Sequence, residues 1–260
     1  MIKCWANSIG NCSDKISGEH LISNSLLEDN ITVLGFPWCK DKPKTIGSAS
    51  FTSKVLCTNH NFYLSDCDSE ILKFKNYNNE FNRKIETFKK YGFSKKKCPI
   101  IYKVNGYLIE KWFCKTLINI CMTNRDMSFE NLNQIVPYIF GSNKFTYPYG
   151  LNVALQIGQL IKHNSNSNIF CSPLYSNIDN NKIEIAGGLF VFQGLHFIVI
   201  LPNSKEPIRN NKVNLNLSDS NLIKDWNNLT LSWHHIEFNQ KSKLRRKEYK
   251  LQSLILDWNE

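Results

Sequence analysis

Four residues within the first sixty positions have the types and spacing of a metal site. Cys4 and Cys12 come first, and Cys57 and His60 follow as a Cys-x2-His pair. Thiolate and imidazole groups in a set of four are the ligands of a closed, tetrahedral structural Zn2+ site. We therefore predict a zinc ion that ties the two ends of this segment together. Cys39 is the main alternative ligand, but it has no partner at knuckle spacing.

The dipeptide Glu19-His20 lies between the two halves of the predicted zinc site. An imidazole that is neutral near pH 7 can take a proton from water, which makes His20 a candidate general base. Glu19 and Asn61 offer the oxygen ligands that a hard divalent cation prefers. Such a cation stabilises charge that develops on a phosphate. The alternative is that His20 is simply packed and hydrogen-bonded at the start of an apolar run.

A helix predicted to begin near residue 60 adds one more candidate. Asn61, Ser65 and Asp68 are spaced i, i+4 and i+7, so they lie on one face of that helix. Asp68 is thus a candidate for an additional cation ligand or for a group that orients His20. A carboxylate near a helix N-terminus is also favoured by the helix dipole alone.

The elements that must position these residues follow from the spacing of apolar side chains. Short β-branched runs predict a strand over 31–36, and three- and four-residue apolar steps predict a long helix after residue 61. A strand over 100–104 is followed by predicted helices over 107–121, 129–140 and 149–161. After a polar linker at 164–168, alternating segments predict strands over 169–175, 182–186, 189–192, 196–201, 213–217 and 229–238, with turns at Gly187-Gly188 and Gln193-Gly194.

These segments predict an α+β protein with three regions. Residues 1–75 form a zinc-bound module, residues 76–163 form a region of central helices, and residues 164–260 form a mainly antiparallel β region with a basic C-terminal tail. No apolar run approaches the ~20 residues that span a bilayer. The first residues also lack the apolar stretch of a signal peptide. We expect a cytoplasmic protein that does not associate with membranes.

The balance of charge favours a polyanionic partner. Thirty-two Lys and Arg residues against 22 Asp and Glu residues give a formal net charge of +10. Basic side chains release counterions when they neutralise phosphates, so DNA is the expected partner. An ordinary solvated helix surface, or the Asn-, Lys- and Ile-rich usage of an A/T-rich genome, would give the same excess. The candidate nucleic-acid-binding residues are Arg83, Lys84, Lys89, Lys90, Arg245 and Arg246.

The order Cys…Cys, Glu-His, Cys-x2-His-Asn resembles the HNH endonuclease group, which has a ββα-metal, treble-clef core. It is most similar to the zinc-stapled branch that includes phage Holliday-junction-resolving endonucleases. The resemblance covers about residues 1–75, and it departs from the common pattern in its Cys-x7-Cys spacing, in Glu for Asp, and in His for the fourth Cys. It implies structural zinc on the four residues above, a catalytic Mg2+ or Mn2+ on Glu19 and Asn61, and His20 as general base.

Three functions are compatible with these patterns. The first is a metal-dependent endonuclease that hydrolyses DNA phosphodiester bonds. The second is a catalytically inactive zinc-binding module that binds nucleic acid, a protein partner or a second copy of the chain. In the third, the N-terminal module only supports a functional C-terminal region.

Overall fold

A strand–strand–helix unit forms the N-terminal part of the protein. β1 (Ile16–His20) pairs antiparallel with β4 (Thr52–Cys57), and α1 (Thr58–Tyr63) follows β4 without a loop. The connection from β1 to β4 contains a second antiparallel pair, β2 (Asn30–Val33) and β3 (Lys44–Gly47). The computed structural model describes residues 4–91, 100–123, 129–146, 148–154, 169–178, 182–202, 231–233, 237–244 and 247–259.

Two long helices occupy the centre of the protein. α2 (Ser65–Tyr91) has the apolar periodicity that predicts a helix, and it buries Ile71 and Phe74 completely. β5 (Ile100–Asn105) leads directly into α3 (Gly106–Thr123), where the Asn105 side chain accepts a hydrogen bond from the backbone N–H of Leu108 at 3.1 Å and caps the helix. α3 is buried on most of its surface, because it contacts α2 on one side and strands on the other.

The rest of the described chain adds a fourth helix and seven strands that form two sheets with β5. Their bounds are α4 (Leu132–Phe140), β6 (Gly150–Ala154), β7 (Phe170–Ile178), β8 (Lys182–Phe192), β9 (Leu195–Ile200), β10 (Leu231–Trp233), β11 (Glu237–Leu244) and β12 (Lys247–Asp257). The larger sheet is antiparallel throughout and has the order β10-β6-β9-β8-β7. In the smaller sheet β12 pairs antiparallel with β11 and parallel with β5, so the last strand returns to the central region.

One cluster of buried apolar residues runs through all three predicted regions. Trp5 of the first region packs against Phe140 of the second, with ring centroids 5.4 Å apart. Phe113 of α3 packs against Phe197 of β9 at 4.8 Å. The N-terminal module is therefore joined to the rest of the protein by apolar packing and not only by the chain. In the described residues, every helix is too short or too polar to span a bilayer.

The predicted α+β class and antiparallel sheet are confirmed, but the helix predicted over 149–161 is wrong where it is described. Residues Gly150–Ala154 form β6, between β9 and β10. Gly150 has φ +93°, which a helix does not accommodate, and the backbone N–H of Leu151 donates to Glu110 Oε2 at 2.7 Å. A short apolar run suits a buried strand as well as a helix, and tertiary pairing decides between them. The predicted linker at 164–168 and strand at 213–217 lie outside the described residues.

The predicted turn at Gly187-Gly188 is also wrong, because both residues lie inside the continuous strand β8. A Cβ atom on Gly187 would lie 2.1 Å from the carbonyl oxygen of Val199 on the neighbouring strand β9. Glycine is needed there because the two backbones approach closely, and not because the chain reverses.

Gly187→Ala is expected to destabilise the fold by about 1–3 kcal/mol, since the new methyl group must displace the backbone of β9. Thermal unfolding should show this as a loss of several degrees. Gly47→Ala is the matched control, because Gly47 has φ −66° and its nearest neighbour would lie 3.8 Å from the new Cβ. Equal unfolding temperatures for the two variants would contradict the close approach.

Candidate metal centre and the adjoining Glu19–Lys115–Asp68 cluster

The four predicted metal ligands converge at one point. Their ligand atoms all lie within 4.8 Å of one another. The Nδ1 atom of His60 lies 3.3 Å from Cys4 Sγ, 3.6 Å from Cys12 Sγ and 3.2 Å from Cys57 Sγ. Tetrahedral zinc, with Zn–S of about 2.3 Å and Zn–N of about 2.0–2.1 Å, separates sulfur from nitrogen by roughly 3.5 Å. The cluster therefore has the donor set and the spacing to hold a metal such as zinc.

The secondary structure explains why these residues meet. Cys57 ends β4 and His60 lies in the first turn of α1, so the Cys-x2-His pair spans a strand-to-helix junction. Cys4 reaches the pair because the backbone N–H of the next residue, Trp5, donates to the carbonyl oxygen of Val55 in β4 at 3.0 Å. Both Cys4 and Cys57 are buried.

The thiols of Cys4 and Cys57 differ strongly in pKa. Burial raises the pKa of Cys4 to about 12. Burial also acts to raise the pKa of Cys57, but hydrogen bonds from the backbone N–H groups of His60 and Ser13 outweigh it and lower that pKa to about 6. Cys57 is thus prepared as a thiolate, and a bound divalent cation supplies the charge that deprotonates its neighbours.

The alternative ligand Cys39 lies outside this cluster. It is buried, and its backbone forms an isolated bridge with Phe36. Among the described residues, the cluster of candidate ligands consists of the four predicted residues and does not include Cys39.

A second group of charged residues lies beside β1, and one of its members is a lysine that sequence reasoning missed. Lys115 of α3 places its Nζ atom 2.7 Å from Glu19 Oε1 and 2.8 Å from Asp68 Oδ2. Glu19 and Lys115 are each only 3% exposed. The sequence did offer a signal for this residue, because Lys115 lies in a helix whose other residues are largely apolar. A lysine in such a helix is buried only when its charge is paired.

Neighbouring side chains hold the Glu19–Lys115–Asp68 cluster in place. The Ser23 hydroxyl donates to Asp68 Oδ1, and the Trp112 indole N–H donates to Ser23 Oγ at 2.7 Å. Burial acts to lower the pKa of Lys115, but the two carboxylates outweigh it and raise that pKa, so the amine stays protonated.

His20 is the last residue of β1 and follows directly after Glu19 in the chain. Its Nε2 atom is buried and has no hydrogen-bond partner among the residues that the structure describes. Burial lowers the pKa of His20, and Lys115 acts in the same direction while Asp68 opposes it. The imidazole is therefore neutral at pH 7 and carries one nitrogen with an unmet hydrogen bond.

Asn61 is held in place by a hydrogen bond to β1. Its Nδ2 atom donates to Ser17 Oγ at 2.9 Å, which ties α1 to β1. Asn61 is thus held by Ser17, while the other two residues predicted to bind the catalytic cation, Glu19 and Asp68, are both held by Lys115.

The predicted nucleic-acid-binding residues are only partly described. Arg83 forms a two-point contact with Glu80, with both N···O distances 2.8 Å, and it is exposed. Lys84 donates to the Tyr102 hydroxyl at 2.8 Å and lies 3.2 Å from Glu80. The side chains of Lys89 and Lys90, and all of Arg245 and Arg246, lie outside what the structure describes.

Comparison with protein-family models, with curated proteins and with solved structures found no match.

Proposed function

We propose that residues 1–75 form a zinc-stapled endonuclease module of the ββα-metal, treble-clef type, which hydrolyses DNA phosphodiester bonds. One observation carries the proposal: His20 ends the first strand of a strand–strand–helix unit that the Cys4-Cys12-Cys57-His60 cluster closes at its other end. The metal in this cluster is Zn2+, and its role is structural because four protein ligands leave no open position.

His20 is the general base in this proposal. Its neutral imidazole takes a proton from a water molecule, and the water oxygen then bonds to phosphorus. The bond from phosphorus to the leaving oxygen breaks, and that oxygen takes a proton from solvent. The Nε2 atom supports this role, since it has no hydrogen-bond partner among the described residues that would compete for the proton.

The resemblance also implies a catalytic Mg2+ or Mn2+ on Glu19 and Asn61, and the spacing of the helix after residue 60 adds Asp68 as a candidate ligand. The two carboxylates do not fit that role as they stand, because the Lys115 ammonium lies between them at ion-pair distance. An ion at this pair therefore takes no part in the proposed reaction. Basic side chains such as Arg83 and Lys84 are proposed to hold the DNA backbone.

His20→Ala is expected to reduce plasmid cleavage by about 10²- to 10⁴-fold, which is the usual contribution of a general base. Nicking is measured with Mg2+ and with Mn2+, on protein whose zinc content and unfolding temperature match the wild type. His196→Ala, which removes a histidine from β9, is the control and should cleave normally. Equal nicking by the His20 variant and the wild type would remove His20 from the mechanism.

A second candidate is a zinc-bound module that binds nucleic acid or a protein partner without cleaving. The burial of Glu19 against Lys115 favours it, because this carboxylate is not presented to a substrate. This candidate predicts DNA binding that weakens steeply with salt and no cleavage in any divalent cation.

A further inference from the structure

The Lys115 ammonium occupies the position that a cation would take between two carboxylates. Its Nζ atom lies 2.7 Å from Glu19 Oε1, and 3.1 Å and 2.8 Å from Asp68 Oδ1 and Oδ2. An ammonium has three N–H donors, so these three oxygens use its whole hydrogen-bonding capacity. Mg2+ binds oxygen at about 2.0–2.1 Å and Ca2+ at about 2.3–2.6 Å, so either ion would have to expel Nζ to bind the same atoms.

We infer that Lys115 replaces a divalent cation at the Glu19–Asp68 pair, so that the folded protein carries a permanent ammonium there and binds no Mg2+ or Mn2+ at these oxygens. Lys115 has this role whether or not the chain cleaves DNA. If it does, Lys115 is a positioning residue, because its contact with Glu19 holds the end of β1 that carries His20.

The packing of α3 explains why the ammonium is permanent. Lys115 is 3% exposed, and the flanking residues Trp112 and Asn119 are completely buried. The side chain cannot turn to solvent unless α3 separates from α2 and β1. The two carboxylates carry one more negative charge than the Lys115 ammonium neutralises. The Ser23 hydroxyl, which the Trp112 N–H orients, donates a hydrogen bond to Asp68 and disperses that remaining charge.

Removal of the ammonium should convert the pair into a true cation site. Lys115→Ala leaves two carboxylates facing each other in a largely buried space, and each disfavours the ionisation of the other. A divalent ion relieves that repulsion, and carboxylate oxygens are its preferred ligands. The variant should therefore gain an ion where the wild type has none.

The test measures Mn2+ binding by the zinc-loaded full chain. The concentration of free Mn2+ is measured by electron paramagnetic resonance, and the effect of Mn2+ on stability is measured by thermal unfolding. The wild type and Glu19→Gln should bind Mn2+ identically, because the wild type holds no ion at Glu19. Lys115→Ala should gain one saturable Mn2+ site per chain and unfold at a higher temperature with Mn2+ than without it. The double variant Glu19→Gln/Lys115→Ala should lose both effects.

Two results would overturn the inference. Mn2+ binding by the wild type that Glu19→Gln abolishes would mean that the ion displaces Lys115. A folded Lys115→Ala variant without a new site would mean that the pair is not a cation site. If that variant does not fold, Mn2+ binding by the wild type and by Glu19→Gln still shows whether an ion binds at Glu19. None of these readouts is cleavage, so they are independent of the proposed nuclease activity.

Discussion

Cys57→Ser is expected to abolish binding of the zinc proposed for the metal cluster and to unfold the N-terminal module. Structural zinc sites contribute about 10–16 kcal/mol in zinc-finger peptides. That is as large as the whole stability of an ordinary folded protein, about 5–15 kcal/mol. Cys57 is the ligand best prepared as a thiolate, with its pKa lowered to about 6, and it links β4 to α1. Zinc content by atomic emission and thermal unfolding measure the effect.

The matched control is Cys39→Ser. Cys39 is buried, as Cys4, Cys57 and His60 are, but it lies outside the metal cluster, so this variant should retain one zinc per chain. Any loss of stability in the Cys39→Ser control comes from the altered packing of a buried side chain and not from loss of the metal. A Cys57→Ser protein that kept one zinc and the unfolding temperature of the wild type would show that the cluster is not the metal site.

Lys115→Met should destabilise the protein by about 3–5 kcal/mol, the range found when one partner of a buried ion pair is removed. The reason is the carboxylate left behind: Glu19 is 3% exposed and would lose the one ion pair that it forms among the described residues. Salt screens such a pair weakly, so added salt should not restore the loss. Denaturant unfolding gives the free energy directly.

Two further variants separate charge from packing in this experiment. Lys111→Met removes a partly exposed lysine from the same helix and should cost far less. Glu19→Gln/Lys115→Met removes the uncompensated charge of Glu19 together with its partner and should recover part of the lost stability, since a neutral amide beside an apolar side chain is cheaper to bury than a lone carboxylate. If both lysine variants cost the same, the cluster does not stabilise the fold.

Local sequence patterns determined the metal ligands and most of the helices. Cys57 and His60 are three residues apart, so a single strand-to-helix junction suffices to place them, and Cys4 and Cys12 were the remaining ligands at the start of the chain. The periodicity of α2 and the Asn105 cap of α3 are likewise properties of short segments. Signals that act over a few residues are visible in the sequence because the backbone itself brings those residues together.

The tertiary structure alone decided the environment of the candidate catalytic residues. Glu19, Asp68 and Lys115 lie on three elements that are far apart in the chain. Only the packing of α2 against α3 and the contact of Lys115 with Glu19 of β1 show that a lysine lies between the carboxylates. The same holds for Gly187, whose neighbour is the backbone of another strand. Sequence spacing determined which residues offer the right chemistry. Whether an oxygen faces water, a metal or an ammonium depends on contacts between distant segments, which no local pattern encodes.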